Sequence, residues 1–80
     1  MELKVIAANQ TEVSFPTGLV VFFSYDTPVA ARTVGGDYIR TSTKWSQTTS
    51  RHINKWLDGI TAIEVDQSVF DSIAAAAGRG

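Results

Sequence analysis

His52 is the first side chain to consider for chemistry, because it is the single histidine of the chain. The 80 residues contain no cysteine, no serine lies in a Gly-x-Ser-x-Gly turn, and no glycine-rich phosphate loop is present. Asp or Glu could act as a general base, but nothing in the sequence singles one out. On a helix, His52 would flank an apolar stripe beside Ile53 and Trp56. We therefore expect a residue packed at the edge of the core, and no enzyme.

Two short motifs could bind ions. Glu64 and Asp66 could share one strand face, but two carboxylates without a third ligand make a weak metal site. Asp66 fits better as a helix N-cap. Gly35 and Gly36 could form an anion-binding nest, although such a pair is more typical of a hairpin turn. We expect a turn there, and neither a metal nor a cofactor.

The charges of the chain are unevenly distributed along it. Segment 27–57 contains five of the seven Lys and Arg residues and a single acid, Asp37, whereas segment 58–71 contains four acids and neither Lys nor Arg. The formal net charge of −1 therefore hides a dipolar chain. Such polarity concerns what a protein binds rather than how it folds, so we expect a binding protein.

The candidate binding residues lie in the basic segment. Arg51 and Lys55 are one helical turn apart and project away from the apolar stripe, and like charges at this spacing do not stabilise a helix. Arg40 would share a solvent-facing strand surface with Tyr38. Trp45, in a Ser/Thr-rich turn, either folds inward or anchors a partner. The predicted partner-binding residues are Tyr38, Arg40, Lys44, Trp45, Arg51 and Lys55.

The alternative is that these basic residues have no partner and serve only to keep the protein soluble. A dedicated nucleic-acid binder has a pI above about 9, whereas this chain has a pI near 5.6. We therefore do not expect nucleic acid as the primary partner.

The elements that must position these residues follow from hydropathy and turn signals. Alternation and β-branched residues predict strands at 3–7, 12–15, 19–25, 29–34 and 37–43, with a short strand or extended connection at 60–65. A turn is expected at 26–28, where Pro28 lacks an N–H for a ladder. A helix should begin near Thr48, capped by Ser46, Thr48 or Thr49, and end before a left-handed Gly59.

A second helix should follow Asp66, with one apolar face and a frayed end after Gly78. Its apolar face is predicted to contain Val69, Phe70, Ile73 and Ala77. We expect one α+β domain over residues 1–80: a small antiparallel sheet of about four to five strands with two helices packed on one face.

The longest apolar run, 19–23, is too short to span a bilayer, which needs about 20 residues. The first residues also lack the basic and long apolar regions of a signal peptide. These features predict a soluble protein with no membrane partner, suited to a reducing cytoplasm.

Three segments resemble a family of small phage and prophage proteins, mostly of unassigned function. They are 23–32 (FSYDTPVAAR), 35–41 (GGDYIRT) and 48–57 (TTSRHINKWL), and the likeness covers about residues 19–65. The chain as a whole looks like a phage anti-CRISPR protein of the type I-C class. The resemblance implies a stoichiometric inhibitor in the bacterial host cytoplasm. Inhibitors of type I systems bind subunits of the Cascade effector complex and block target DNA binding, or they bind the recruited nuclease-helicase; we expect the first of these modes. It carries over no catalytic residue.

Two surfaces could serve an inhibitor of this kind. The acidic segment 58–71 could mimic DNA phosphates, or the basic segment 32–55 could bind an acidic patch on an effector subunit. Mimicry is the weaker option because the acidic run is short and Asp66 has a capping role. The alternative functions are a small nucleic-acid-binding accessory protein that uses the basic face, and a phage assembly component that self-associates.

Overall fold

The chain forms a single sheet with helices packed against it. The computed structural model describes residues 2–78, which form six strands and two helices. In chain order these are β1 (Glu2–Ala7), β2 (Gln10–Ser14), β3 (Val20–Ser24), β4 (Thr27–Arg32), β5 (Tyr38–Thr41), α1 (Gln47–Leu57), β6 (Ile63–Val65) and α2 (Gln67–Gly78). The α+β class predicted from the sequence is confirmed.

The sheet is larger than predicted, and it is mixed. Its strands lie in chain order from β1 to β6. The first five form an antiparallel meander, whereas β6 pairs parallel to β5. The expectation of four to five antiparallel strands is therefore corrected. The physical reason is that α1 crosses between β5 and β6, and a helical crossover returns the chain in the same strand direction.

The turn between β3 and β4 lies earlier than predicted. Tyr25 adopts a left-handed φ of 58°, and β4 already begins at Thr27. Pro28 is therefore inside a strand, where it pairs with Phe23 beside an irregularity in the ladder. A proline is tolerated at such a site because the local ladder does not need its missing N–H. The predicted turn after β4 is confirmed, with Gly36 at a φ of 91°.

Helix α1 packs against one face of the central strands. Ile53 and Leu57 of α1 are buried with Phe22 of β3 and Ala30 of β4. Phe22 and Ala30 are directly opposite each other in the ladder, so both side chains point to this face. The helical stripe predicted from Ile53, Trp56 and Leu57 is thus the surface by which α1 docks.

Helix α2 packs against the opposite face. Its Phe70 is fully buried against Val21 and Ala31, which pair with each other next to the Phe22 position. Successive strand residues point to opposite faces, so Val21 and Phe22 contact different helices. The prediction that both helices pack on one face is therefore wrong. Burial of β3 on both faces, which the unbroken apolar run predicted, is confirmed and accounts for the two layers.

The described part of α2 follows the predicted pattern with one exception. Asp66 precedes the helix, and its Oδ2 accepts a hydrogen bond from the backbone N–H of Ser68 at 3.1 Å. Ile73 packs against the core, but Val69 is 40% exposed. The predictions for the Ala77 side chain and for fraying at Arg79 and Gly80 lie outside the described residues. Within residues 2–78, neither helix has the length and hydropathy needed to cross a bilayer.

Candidate functional site

The N-terminus of α1 and the loop before it form the candidate site. Ser46 is the N-cap: its Oγ accepts a hydrogen bond from the backbone N–H of Thr49 at 3.1 Å. This bond satisfies one of the free N–H groups of the first turn and fixes where the loop enters the helix. Of the three N-caps proposed from the sequence, Ser46 is the one used. Lys44 and Trp45 immediately precede it and are positioned by it.

Trp45 is exposed but held in place. Half of its surface is accessible, and its Nε1 donates to Oε1 of Gln67 at 3.2 Å. Gln67 is itself fixed, because its Nε2 donates to the backbone oxygen of Pro28 at 2.8 Å and to Asp71 Oδ1 at 3.1 Å. The indole therefore does not fold inward but stays at the surface, and its role as an anchor for a partner stays a prediction.

An open depression lies next to Trp45 along one side of α1. It is lined by Lys44, Trp45, Ser46, Gln47, Ser50, Arg51 and Asn54. Lys44 and Arg51 are exposed, and none of the described residues that line the depression is acidic. Three of the six predicted binding residues, Lys44, Trp45 and Arg51, therefore meet here. We call these three residues the Trp45 patch.

Arg40 and Tyr38 share one face of the sheet, as predicted, but α1 packs on that face and leaves both residues half-buried. Arg40 Nη1 donates to Oδ1 of Asn54 at 3.1 Å, and its Nε is buried with no hydrogen-bond partner among the described residues. Tyr38 packs edge-on against Trp56, with ring centroids 5.8 Å apart. Both residues lie on the sheet face that α1 covers, so they support α1 from beneath instead of forming part of the exposed patch.

Lys55 belongs to a different part of the surface. It lines a groove between the end of α1 and the first two strands, with Lys4, Glu12, Trp56 and Asp58 among the other lining residues. This groove carries both positive and negative side chains, unlike the depression beside Trp45. The structure therefore divides the predicted basic face into two regions of different charge.

A buried polar cluster behind the Trp45 patch was missed at the sequence level. Ser24 Oγ lies 2.8 Å from Nδ1 of His52 and 3.1 Å from Oγ1 of Thr49, and the rings of His52 and Tyr25 pack together at 5.9 Å. The sequence contained a signal for this cluster: Ser24 is two residues after Phe22 on the same strand, so both side chains point to the face that α1 covers.

A serine this close to a histidine has the geometry of an activated nucleophile. However, Ser24 is only 1% exposed, and its Oγ is already within hydrogen-bond distance of both His52 and Thr49. The bonds instead tie α1 to β3, because they satisfy polar groups that would be costly to bury alone. His52 itself is half-buried at the edge of the core, as its place beside the apolar stripe predicted.

Among the acidic residues of segment 58–71, Asp58 lies apart from Asp66 and Asp71. Asp58 ends α1 in a left-handed conformation and lines the groove with Lys4 and Lys55. Asp66 and Asp71 belong to the start of α2, on the opposite side of the sheet, where both accept hydrogen bonds. Mimicry of DNA phosphates needs a row of neighbouring carboxylates on one surface, and Asp58 is not part of such a row.

The family of the chain is established by comparison with known proteins. No curated protein and no solved structure matches the chain. Residues 1–72 match DUF8033, which is described as a family of unknown function. Because this match covers nearly the whole of the 80 residues, the chain belongs to the DUF8033 family.

Proposed function

We propose that this chain is a phage anti-CRISPR protein that inhibits the type I effector complex Cascade by binding it stoichiometrically through the Trp45 patch. The observation that carries the proposed binding surface is Trp45 itself, which is half exposed and yet fixed through Gln67. A rigid, exposed indole loses little conformational entropy on binding, and tryptophan is among the residues that dominate binding energy in protein interfaces. The type of target comes from the resemblance of segments 23–32, 35–41 and 48–57 to the phage family.

The charges around Trp45 indicate the chemistry of the partner surface. Lys44 and Arg51 flank the depression, and no described residue lining it is acidic. Complementary charge steers association and excludes wrong partners, so the proposed partner surface is acidic with an apolar pocket for the indole. Blocking of DNA binding then follows from occupation or distortion of the effector rather than from imitation of DNA. The scattered positions of Asp58, Asp66 and Asp71 also favour this route over mimicry.

The second candidate, a nucleic-acid-binding accessory protein, has one observation in its favour. An aromatic ring beside two cations is also an arrangement on which single-stranded bases stack. The overall charge argues against it, because a chain with a net charge of −1 has little long-range attraction for a polyanion.

The test is a binding experiment with purified type I-C Cascade. Wild-type chain should form a complex with Cascade and reduce its capture of target duplex in proportion to the amount added, without turnover. The double substitution Lys44→Glu and Arg51→Glu, and separately Trp45→Ala, should each weaken Cascade binding by about tenfold or more while leaving the fold intact. Arg32→Glu is the matched control, since Arg32 is an exposed cation outside the patch.

Two results would overturn the proposal. One is undiminished DNA capture by Cascade at a large excess of the chain. The other is a gel shift of single-stranded or duplex DNA by the wild type that weakens steeply with salt and is lost in the Lys44/Arg51 variant. The second result would favour the accessory protein instead.

A further inference from the structure

The outer edge of β1 is an open pairing surface. Within residues 2–78, β1 is hydrogen-bonded to β2 on one side and is the first strand of the sheet. Its pairing with β2 is regular from Glu2 to Val5, and an irregularity follows between Val5 and Ala7. A regular, exposed edge presents free N–H and C=O groups that can pair with another strand.

The face of the sheet on which α2 packs (the α2-side face) is also exposed to solvent near this edge, whereas the other face, on which α1 packs, is the α1-side face. Leu3 and Val5 are 65% and 69% exposed, respectively. They are the cross-strand neighbours of Val13 and Thr11 on β2, on the face that α2 covers only farther along the sheet. Tyr25, half exposed, lines a shallow depression together with Leu3, Val13 and Asp26. An apolar strip beside an open edge is a feature that association would bury.

The sequence of β1 is complementary to itself in one antiparallel register. A two-fold axis perpendicular to the sheet keeps each face on its own side, so it must lie midway between the two copies of one β1 residue, which are then opposite each other. An axis at Leu3 places Glu2 of each copy opposite Lys4 of the other and Leu3 opposite Leu3. An axis at Glu2 or Lys4 places like charges opposite each other, which is destabilising. An axis at Val5 leaves Lys4 opposite Ile6.

We propose that two copies of this chain associate through their β1 edges, antiparallel and centred on Leu3, to form one continuous sheet. Two symmetry-related Glu2–Lys4 pairs lie on the α1-side face, and the Leu3 side chains of the two copies face each other on the α2-side face. Only the short regular part of β1 takes part, so the interface is small and the association is weak and depends on concentration. This pairing does not involve the Trp45 patch, whose Trp45 lies beside the turn between β3 and β4.

The test is sedimentation velocity of the untagged 80-residue chain over a concentration series. The apparent mass should rise from 8.7 kDa at low concentration towards twice that value. Lys4→Glu or Glu2→Lys alone should raise the dissociation constant by about tenfold or more, because each converts both symmetry-related attractive pairs into repulsive ones. The double variant Glu2→Lys with Lys4→Glu should restore dimerisation, since it exchanges the charges of each pair between the copies. Because Lys4 also lies opposite Glu12 of β2, circular dichroism checks that each variant is folded.

Glu64→Lys is the matched control, because Glu64 is an exposed acid on β6 at the opposite edge of the sheet. This variant should dimerise as the wild type does. A chain that stays monomeric at every concentration would overturn the inference. So would a dimer that tolerates both single reversals, or a double variant that fails to recover.

Discussion

At the scale of single residues, the two tryptophans have different roles that their surroundings explain. Trp56 stacks on Phe22 with ring centroids 5.2 Å apart, and its Nε1 donates to Glu12 Oε1 at 2.9 Å. Trp45 has half its surface exposed and is linked to the rest of the chain through Gln67. Trp56 therefore contributes mainly to stability, whereas Trp45 is available for binding.

We expect Trp56→Ala to lower the free energy of unfolding by about 3 kcal/mol, because it removes a large ring from the core and leaves Glu12 without its donor. Trp45→Ala should lower it by less than about 1 kcal/mol, since most of what is lost is an exposed hydrogen bond. Urea denaturation followed by circular dichroism measures both values. Similar losses in the two variants would contradict this division of roles.

At the scale of elements, the start of α2 depends on a charged cap. Asp66 accepts from the backbone N–H of Ser68, and the backbone N–H of Val69 donates to the Asp66 carbonyl oxygen at 3.0 Å. Hydrogen bonds from the Ser68 side chain and backbone hold the pKa of Asp66 below its ordinary value of 3.8. These bonds favour the ionised carboxylate, which also interacts well with the positive end of the helix dipole.

A lowered pKa in the folded state means that Asp66 stabilises the fold above its unfolded pKa. This contribution is lost as the pH falls below 3.8 through the folded value. We expect an NMR titration of the carboxyl carbon to give a pKa below 3.8 for Asp66. In Ser68→Ala the pKa should move back towards that value, because the side-chain hydrogen bond is its largest cause. An unchanged pKa in Ser68→Ala would contradict this explanation.

At the scale of the whole molecule, β3 and β4 are the structural centre. Each has a strand on both sides, α1 covers one face and α2 covers the other. The edges are different, since β1 is exposed along Glu2–Ile6 and β6 has only three residues. Stability should therefore fall from the centre of the sheet towards both edges.

Native-state hydrogen exchange measures this gradient. In dilute solution we expect the backbone amides of β3 and β4 to exchange slowest and those of β1 and β6 to exchange earlier. The Phe22 and Val21 amides serve as internal references, because both side chains are almost fully buried. Equal protection of β1 and β3 would contradict this gradient.

Much of the local structure could be predicted from the sequence. Capping residues, turn glycines and the apolar period of α1 act through neighbours in the chain, so their effect is visible in order along it. Ser46 as an N-cap, Gly36 in a turn, Asp66 before α2 and the buried run in β3 are all of this kind. The same local signals gave the α+β class.

The position of each element in space was decided only by the tertiary structure. A strand that is apolar at both Val21 and Phe22 must be covered on both faces, but the sequence does not say which helix takes which face. The parallel pairing of β6 depends on α1 crossing the sheet, and the Ser24–His52 bond joins residues that are distant in the chain. For the same reason the sequence identifies the basic residues but does not show which of them lie next to one another in space. Lys44 and Arg51 meet beside Trp45, whereas Arg40 and Lys55 do not join them, because long-range packing rather than sequence spacing decides which side chains become neighbours.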